Sequence, residues 1–216
     1  MAFGKEKIVV SVPAADFRTL SIPLLGTSPM AWHRFSKAQA GEMEEKQKAG
    51  SAGRGRKTRT AKDFDATYLA TMYVAPEGWR GIPAMAIKNA MVSACRTVSL
   101  VMVTTKMAFW VNPDGFDRDD GRPLVRITKG DPSREDAVVR VASGATDIHP
   151  RARWDAGWEA TVSLSYDAGM LQEVDVVNLL HRAGLQVGIG EGRMSSPKNC
   201  GIGYGSFVIR ENEHTA

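Results

Sequence analysis

Glycine recurs at alternate positions near the end of the chain, and this spacing constrains the fold more than any other feature. Six glycines form two runs of three: Gly188, Gly190, Gly192, Gly201, Gly203 and Gly205. Glycine disfavours the interior of a helix, so neither run is expected to be helical. Alternation removes the side chains from one side of an extended backbone. The two runs therefore predict a segment over 188–205 that a ligand can approach through main-chain amides, or alternatively a tightly packed strand pair.

The rest of the chain alternates between strand-like and helix-like patterns. Apolar residues at every second position predict strands, and apolar residues three or four positions apart predict helices. The predicted strands are 17–25, 68–74, 106–111, 124–128, 137–141, 158–166 and 203–209. The predicted helices are 34–47, 83–98 and 170–183. The strand at 137–141 is expected to pair with the strand at 106–111 or the one at 124–128.

Two of these helices have a clear apolar face. The first begins with proline in its first turn, where the missing N–H does no harm. Its inward residues recur at helical spacing: Ile87, Met91, Ala94 and Val98. In the helix at 170–183, the expected inward residues are Val174, Val177 and Leu180, and Gly184 is the expected C-cap.

The order of the elements predicts the fold class. The core elements are strand 17–25, helix 83–98, strands 106–111 and 158–166, helix 170–183 and strand 203–209. This is the order of a ferredoxin-like (RRM-like) βαββαβ core, so we expect one α+β domain over 1–216. Two large insertions decorate this core, at 26–80 and at 112–157.

The positive charge of the chain is concentrated in one segment. The 216 residues include 28 basic and 24 acidic side chains, for a net charge of +4. Seven basic side chains and no acidic one lie from Lys46 to Lys62, so the remainder is net negative. The part at 49–62 has no large apolar residue, which predicts a basic flexible loop. Such a loop is either an ordinary solvated linker or a contact for phosphates, through Arg54, Arg56, Lys57 and Arg59.

Several protein classes are excluded. No stretch approaches the roughly 20 apolar residues of a membrane helix, and the N-terminus lacks a secretory apolar block, so we expect a cytoplasmic protein without a membrane partner. Two cysteines, Cys95 and Cys200, do not make a disulfide framework. The glycine spacing is not that of a dinucleotide or phosphate loop, and no histidines have metal spacing. No cofactor and no metal are expected.

The segment from Gly81 to Ala94 resembles a known signature. It is similar to the first helix of the repeat-associated mysterious protein (RAMP) superfamily, whose backbone subunits coat guide RNA in CRISPR effector complexes. The matching residues are Ile82, Pro83, Ile87, Lys88, Ala90, Met91 and Ser93. The chain departs from the signature at Ala84, Met85 and Ala86, where the superfamily usually has Gly-Ser-Ser and its hydroxyls.

A second mark of that superfamily is a glycine-rich stretch before the last strand, which 188–205 resembles in kind and place. The chain is also similar to short phage-encoded proteins of unassigned function that share Leu25-Gly-Thr-Ser-Pro and the same glycine-rich end. The resemblance implies a non-enzymatic protein, in the host cytoplasm if phage-encoded. Such a protein lines up along single-stranded RNA or DNA as a helical or filamentous oligomer. The insertion at 112–157 is expected to reach the next subunit, like the thumb hairpin of that superfamily.

The expected contacts to nucleic acid combine the basic loop, the first helix, the glycine-rich segment and nearby aromatic residues. Arginine and lysine neutralise phosphates, and exposed aromatic rings such as Trp32 and Tyr204 stack on unpaired bases. The complete set is Lys88, Arg54, Arg56, Lys57, Arg59, Trp32, His33, Arg34, Gly190, Gly192, Arg193, Lys198, Gly203 and Tyr204.

Two other functions stay open. His33 follows the first strand, and RNA-cleaving members of the resembled superfamily use a histidine near there, which gives an endoribonuclease as one alternative. A phage decoy that binds a host CRISPR complex is the other. An acidic group of four residues offers ligands for a divalent ion, but a solvated turn is the simpler expectation: Asp114, Asp117, Asp119 and Asp120.

Overall fold

The computed structural model describes residues 12–34, 37–48, 63–140, 144, 146–196 and 201–210. Over these residues the chain is a mixed α+β protein with mostly antiparallel sheet and few helices. None of the helices in this part is long and apolar enough to cross a membrane. The predicted basic loop at 49–62, with its four arginine and lysine candidates, lies outside the described residues, as does Lys198.

The strands are β1 (Phe17–Gly26), β2 (Met30–Trp32), β3 (Gly81–Pro83), β4 (Phe109–Asn112), β5 (Gly115–Phe116), β6 (Pro123–Lys129), β7 (Pro132–Arg140), β8 (Thr146–Trp154), β9 (Glu159–Asp167) and β10 (Phe207–Ile209). The α-helices are α1 (Lys37–Lys48), α2 (Phe64–Ala70), α3 (Ala84–Ala94), α4 (Met102–Ala108) and α5 (Glu173–Arg182). A 3₁₀ turn at Cys95–Thr97 follows α3, and a π-helical turn at Ala183–Val187 follows α5.

The main sheet is built around β1 and β9, which pair with each other along nine positions from Phe17 opposite Asp167 to Leu25 opposite Glu159. β10 pairs with the other edge of β1. On its far side, β9 pairs with β4 and with β6, and β6 in turn pairs with β3 and β5. All of these pairings are antiparallel.

One face of this sheet carries the core. Alternate residues of β1 and β9 point inward, because successive side chains of a strand project to opposite faces. They form one buried cluster with residues of α3 and α5: Ile22, Leu24, Val162, Leu164, Ile87, Met91, Val176 and Leu180. Each such side chain contributes about 1.5–3 kcal/mol on burial, so this cluster holds the two helices against the sheet.

A second, three-stranded sheet has the order β2-β8-β7. The β7–β8 hairpin is paired from Pro132 opposite Trp154 to Arg140 opposite Thr146. Residues 137–140 of the predicted strand 137–141 are therefore part of β7, and residue 141 lies outside the described residues. The expected pairing with a central strand is wrong, because β7 pairs with β8. Sequence patterns missed its true partner β8, because that strand is largely polar and contains Pro150.

The predicted strand at 68–74 is wrong over most of its length. Residues up to Ala70 belong to α2, and Val74 forms only an isolated bridge with Arg80. The reason lies in the residue before the helix: the Asp63 carboxylate accepts hydrogen bonds from the backbone N–H groups of Asp65 and Ala66. This N-cap satisfies donors that a helix start otherwise leaves unpaired.

The predicted strand at 106–111 begins too early, since α4 extends to Ala108. Proline at the start of α3 is its N-cap residue, at the end of the short strand β3. In α3, Ile87, Met91 and Ala94 are buried as predicted, whereas Val98 lies beyond the helix and is partly exposed.

In α5 the inward residues are Val176, Leu179 and Leu180, and Val174 faces solvent. Gly184 is not a C-cap: it lies inside the π-helical turn, packed against Phe207. Gly188, which has a positive φ of 75°, ends that turn instead.

Candidate functional site

A cleft of about 200 Å³ lies between α3 and the start of the glycine-rich segment. Helix α3 contributes Asn89 and Ser93, which are four residues apart and therefore lie on one face of the helix. The glycine-rich segment contributes Gly190 and Arg193, and Trp32 at the end of β2 completes the wall. Three predicted contacts therefore line one cleft: Gly190 and Arg193 from the glycine-rich segment, and Trp32 from a distant part of the chain.

Arg193 is the charged group of this cleft. Its Nη1 donates a hydrogen bond to the carbonyl oxygen of Gly190 at 3.1 Å. Within the described residues it forms no ion pair, and its backbone forms a parallel bridge with Tyr204. A guanidinium held by one carbonyl keeps most of its donors available for an anionic ligand.

Lys88 does not line the cleft. It is partly buried and lies on a different face of α3 from Asn89 and Ser93. The structure therefore does not bring Lys88 into this cleft, and its contact with nucleic acid stays a prediction. Asn89 and Ser93 take its place in the cleft, and their i, i+4 spacing of polar side chains is the sequence signal that identifies them.

The glycine-rich segment is folded rather than extended, since all six of its alternating glycines have positive φ. A Cβ on Gly190 would lie 2.5 Å from the carbonyl oxygen of Ala31, and one on Gly205 would collide with the carbonyl oxygen of Ile189. The N–H of Gly205 donates to the carbonyl oxygen of Pro29 at 2.6 Å. The prediction of an open backbone stripe is wrong at these two glycines, where close packing of backbone on backbone requires glycine.

The other predicted glycines differ from one another. A Cβ on Gly192 would lie 2.9 Å from the Ile202 side chain, whereas no atom of the described residues lies within 4 Å of a Cβ on Gly203. Of Gly192 and Gly203, therefore, only Gly203 leaves room for a ligand next to the backbone.

Arg34 is a structural residue and not a phosphate contact. Its side chain is only 3% exposed and forms ion pairs with Asp117 at 2.7 Å, Asp119 at 2.9 Å and Asp120 at 3.2 Å. Its guanidinium carbon also lies 5.3 Å from the ring centroid of Tyr73. The predicted contact of Arg34 with nucleic acid is wrong, because its side chain is buried and both of its Nη groups already bind carboxylates.

The acidic group is not a solvated turn throughout, because the Asp117 carboxylate is fully buried. Burial by itself raises the pKa of a carboxyl group, but here backbone N–H donors from Asp120, Val74 and Asp119 oppose it, together with the charge of Arg34. The net result is a pKa of Asp117 below its ordinary value.

The predicted stacking residues have limited access. Trp32 is 8% exposed and its ring packs edge-on against Tyr73, so it is a wall of the cleft and not a free platform. Tyr204 is half-buried, and its hydroxyl lies 3.3 Å from Oε1 of Glu135. Burial raises the pKa of the Tyr204 phenol, and the charge of Glu135 raises it further, so the hydroxyl stays protonated as a donor.

Tyr204 lines a second cleft of about 350 Å³, beside the β7–β8 hairpin. The charged groups that line it have partners of opposite charge: Arg151 is paired with Glu191 at 2.6 Å, and Glu135 lies 3.7 Å from Nε of Arg153, which is not a lining residue. This cleft is less suited to an anionic ligand than the first one, since its lining arginine, Arg151, already binds a carboxylate.

His33 is exposed and lies beside a second histidine. The ring centroids of His33 and His149 are 5.6 Å apart with the rings nearly perpendicular. Nε2 of His149 lies 3.1 Å from Oδ2 of Asp147. The sequence singles out His33 but not His149 or Asp147, because only the pairing of β2 with β8 brings these segments together.

The outer face of the main sheet carries a polar network that the sequence predictions did not include. Its central side chains are small and polar, and they are linked by hydrogen bonds: Thr19 with Ser165 at 3.1 Å, and Asn112 with Ser163 and Ser165 at 3.1 and 2.8 Å. At one end of this face, Phe17 and Trp110 are both partly exposed, and their ring centroids lie 4.7 Å apart. The alternation of hydroxyl residues in β1 and β9 is the signal that marks this face.

No model of a known protein family matches the chain, and no curated protein matches it either. The residues of the clefts are therefore the guide to what they bind.

Proposed function

We propose that the protein binds single-stranded nucleic acid, RNA or DNA, through its backbone and assembles side by side along the strand without cleaving it. The observation that carries this proposal is the environment of Arg193. Its guanidinium has no acidic partner within the described residues and lines a cleft with the polar side chains of Asn89 and Ser93. Arginine with neighbouring amide and hydroxyl donors is the usual set for contacts to phosphate oxygens.

The strand order supports a ferredoxin-like core. β10, β1, β9 and β4 lie side by side and pair antiparallel. Helix α3 comes between β1 and β4 in the chain, and α5 comes between β9 and β10. The cleft also lies between the two segments that resemble the RAMP superfamily, the first helix and the glycine-rich segment. These points favour a RAMP-like protein as the setting for the proposed binding.

The charge distribution supports a role for the basic loop. Several arginines of the described body are neutralised by acids, among them Arg34, Arg134 and Arg151. The excess positive charge of the chain therefore resides mainly in the segment at 46–62, which is suited to sequence-independent contacts with phosphates. Arg193 would fix the position of the strand, and this loop would supply most of the salt-dependent affinity.

Self-association has support in the β7–β8 hairpin. Val138 and Ile148 lie directly opposite each other on its two strands, and they are 71% and 42% exposed. An exposed apolar pair on a hairpin is a feature of surfaces that contact another chain. This hairpin, within the predicted insertion at 112–157, is the proposed contact with the next subunit.

The proposal is tested by titrating labelled single-stranded oligonucleotides at several salt concentrations and following fluorescence anisotropy. We expect the logarithm of the affinity to fall linearly with the logarithm of the salt concentration. Replacing Arg54, Arg56, Lys57 and Arg59 together by Ala should flatten that slope and weaken binding to all sequences alike. Arg193→Ala should weaken binding with a smaller change in slope, of about one unit.

The matched control is Arg182→Ala, which removes the same charge from the exposed end of α5, at a residue that does not line the cleft. It should leave the affinity almost unchanged. Affinity that does not respond to salt, or that falls equally in the Arg182 and Arg193 variants, would contradict a phosphate-based site at this cleft.

A second candidate function is RNA cleavage, which the arrangement of His33, His149 and Asp147 favours. Two histidines can act as general base and general acid on the 2′-hydroxyl and the leaving 5′-oxygen, and a carboxylate can orient one of them. Incubation of labelled RNA with the protein and with His33→Ala and His149→Ala distinguishes the two functions. Fragments that form with the wild-type chain and disappear in both variants favour cleavage, and intact RNA with the wild-type chain removes this candidate.

A further inference from the structure

A pocket of about 320 Å³ lies on the outer face of the main sheet, on the opposite side from α3 and α5. The volume is at the lower end of the range for small-molecule sites. Three strands and two connecting segments supply its lining: Ser21, Thr161, Ser163, Thr128, Arg126, Trp79 and Asp114. It shares no residue with the cleft that contains Arg193.

The floor of the pocket consists of hydroxyl groups. Ser21 of β1 lies directly opposite Ser163 of β9, and Thr161 is two residues along the same face. The Asn112 amide donates to Oγ of Ser163, so the Ser163 hydroxyl hydrogen remains available for an acceptor in the pocket. Because these serine and threonine side chains are short, a ligand can come close to several hydrogen-bond donors and acceptors on the sheet.

The wall of the pocket is Trp79, which is held by two glycines. A Cβ on Gly115 would lie 2.7 Å from Cζ2 of the indole, and a Cβ on Gly81 would lie 3.0 Å from Cζ3. Any side chain at these positions would displace the ring, so the backbone fixes the orientation of Trp79. The ring remains partly exposed, and a fixed, accessible ring is what a flat ligand stacks on.

The rim of the pocket carries one group of each charge. The guanidinium carbon of Arg126 lies 6.0 Å from the centroid of Trp79, and Arg126 has no ion pair within the described residues. Oδ2 of Asp114 accepts the backbone N–H of Arg126 at 2.7 Å. That hydrogen bond orients the carboxylate and leaves Oδ1 as an acceptor at the rim.

We infer that this pocket binds one ribonucleotide unit, with the base against Trp79, the phosphate at Arg126, and the ribose hydroxyls at Asp114 and the floor. An aromatic ring, a cation and a carboxylate among hydroxyls match the three chemical parts of a nucleotide. The 2′-hydroxyl both donates and accepts hydrogen bonds, so this floor favours ribose over deoxyribose. The inference rests on the proposed function, because the nucleotide in the pocket is taken to be one unit of the bound strand. It goes further by specifying that this strand is RNA.

The test has two arms. In the first, adenosine 5′-monophosphate and its 2′-deoxy form are titrated while the amide and indole N–H signals are followed by NMR. In the second, RNA and DNA oligonucleotides of one sequence are compared by anisotropy. We expect the ribose forms to bind about tenfold more tightly in both arms, the effect of one or two hydrogen bonds.

Variants assign the effect to the pocket. Arg126→Ala should weaken both mononucleotides, and Asp114→Asn should reduce the preference for ribose while keeping the acceptor for the Arg126 N–H. The matched control is Arg18→Ala, an exposed arginine of β1 that is paired with Asp16 and lies outside the pocket. It should leave mononucleotide binding unchanged.

The outcomes separate this inference from the proposed function. Equal affinity for ribose and deoxyribose forms, or shifts that do not involve Trp79, would overturn the inference. Tight binding of the mononucleotide without binding of either oligonucleotide would support the pocket and contradict the strand-binding function. Oligonucleotide binding that is lost in Arg193→Ala, while the mononucleotide still binds, would support both.

Discussion

Nη2 of Arg34 lies 2.7 Å from Oδ2 of Asp117, and both side chains are excluded from solvent. This pair joins the segment after β2 to the turn between β5 and β6, which are far apart in the chain. Arg34 also donates to the carbonyl oxygen of Met72, and Oδ1 of Asp117 accepts the N–H of Val74. The pair therefore connects the second sheet to the edge of the main sheet and fixes the position of β2, which carries Trp32.

We predict that Arg34→Met destabilises the protein strongly. Removing one partner leaves the Asp117 charge buried without its cation, a change that costs about 3–5 kcal/mol of unfolding free energy. Urea denaturation of the two proteins measures the difference. The control is Arg118→Met, whose side chain is exposed and lies 3.8 Å from Asp119, and which should change stability by no more than about 1 kcal/mol. Similar losses in the two variants would contradict a structural role for the buried pair.

The same pair gives the stability a defined pH dependence. Because the pKa of Asp117 is lower in the folded protein than in the unfolded chain, its contribution is fully present above the unfolded value of about 3.9 and is lost as the pH falls through the folded value. Thermal unfolding of the wild type and of Asp117→Asn from about pH 6 to about pH 2 measures this. We expect the gap between the two midpoints to narrow below about pH 3.9. A constant gap would show that ionisation of Asp117 does not stabilise the fold.

The glycine-rich segment gives a prediction that compares two positions with similar backbones. Gly203 and Gly205 both have positive φ, at 81° and 70°, so alanine costs about 1–2 kcal/mol at either site from conformation alone. A Cβ on Gly205 would also collide with the Ile189 carbonyl oxygen, whereas one on Gly203 meets no atom within 4 Å in the part of the chain that the structure describes. Gly205→Ala should therefore be clearly less stable than Gly203→Ala in urea denaturation. Equal stability would mean that the backbone contact at Gly205 relaxes without cost.

The strands at the centre of the sheet could be predicted because their two faces differ. In β9, buried Val162 and Leu164 alternate with Thr161 and Ser163, and this period is visible in the sequence alone. The helix α2 could not be predicted in the same way, because its residues lack a buried face and its start depends on the cap by Asp63. Local pattern identifies elements that bury one side, and it fails where a capping contact decides the conformation.

The candidate sites were predicted only in part, because tertiary contacts decide which side chains are available to a ligand. The sequence singles out Arg193 and Trp32 as residue types that suit nucleic acid, but their meeting with Asn89 depends on how the glycine-rich segment folds back against α3. Arg34 has the same residue type as Arg193 and the opposite role, since three carboxylates from a distant turn surround it. Residue type suggests chemistry, whereas availability depends on tertiary partners.

The exposed hairpin gives the last prediction. Replacing both Val138 and Ile148 by Ser should reduce the cooperativity of binding along a long oligonucleotide, because the proposed contact between neighbouring subunits loses its apolar area. Folding should be little affected, since neither side chain is in the core. Sedimentation velocity with oligonucleotides of increasing length measures the number of bound copies. Val174→Ser, a change at an exposed valine of α5, is the control, and it should leave the assembly intact. If the double variant fills long oligonucleotides as cooperatively as the wild type, the hairpin is not the contact between subunits.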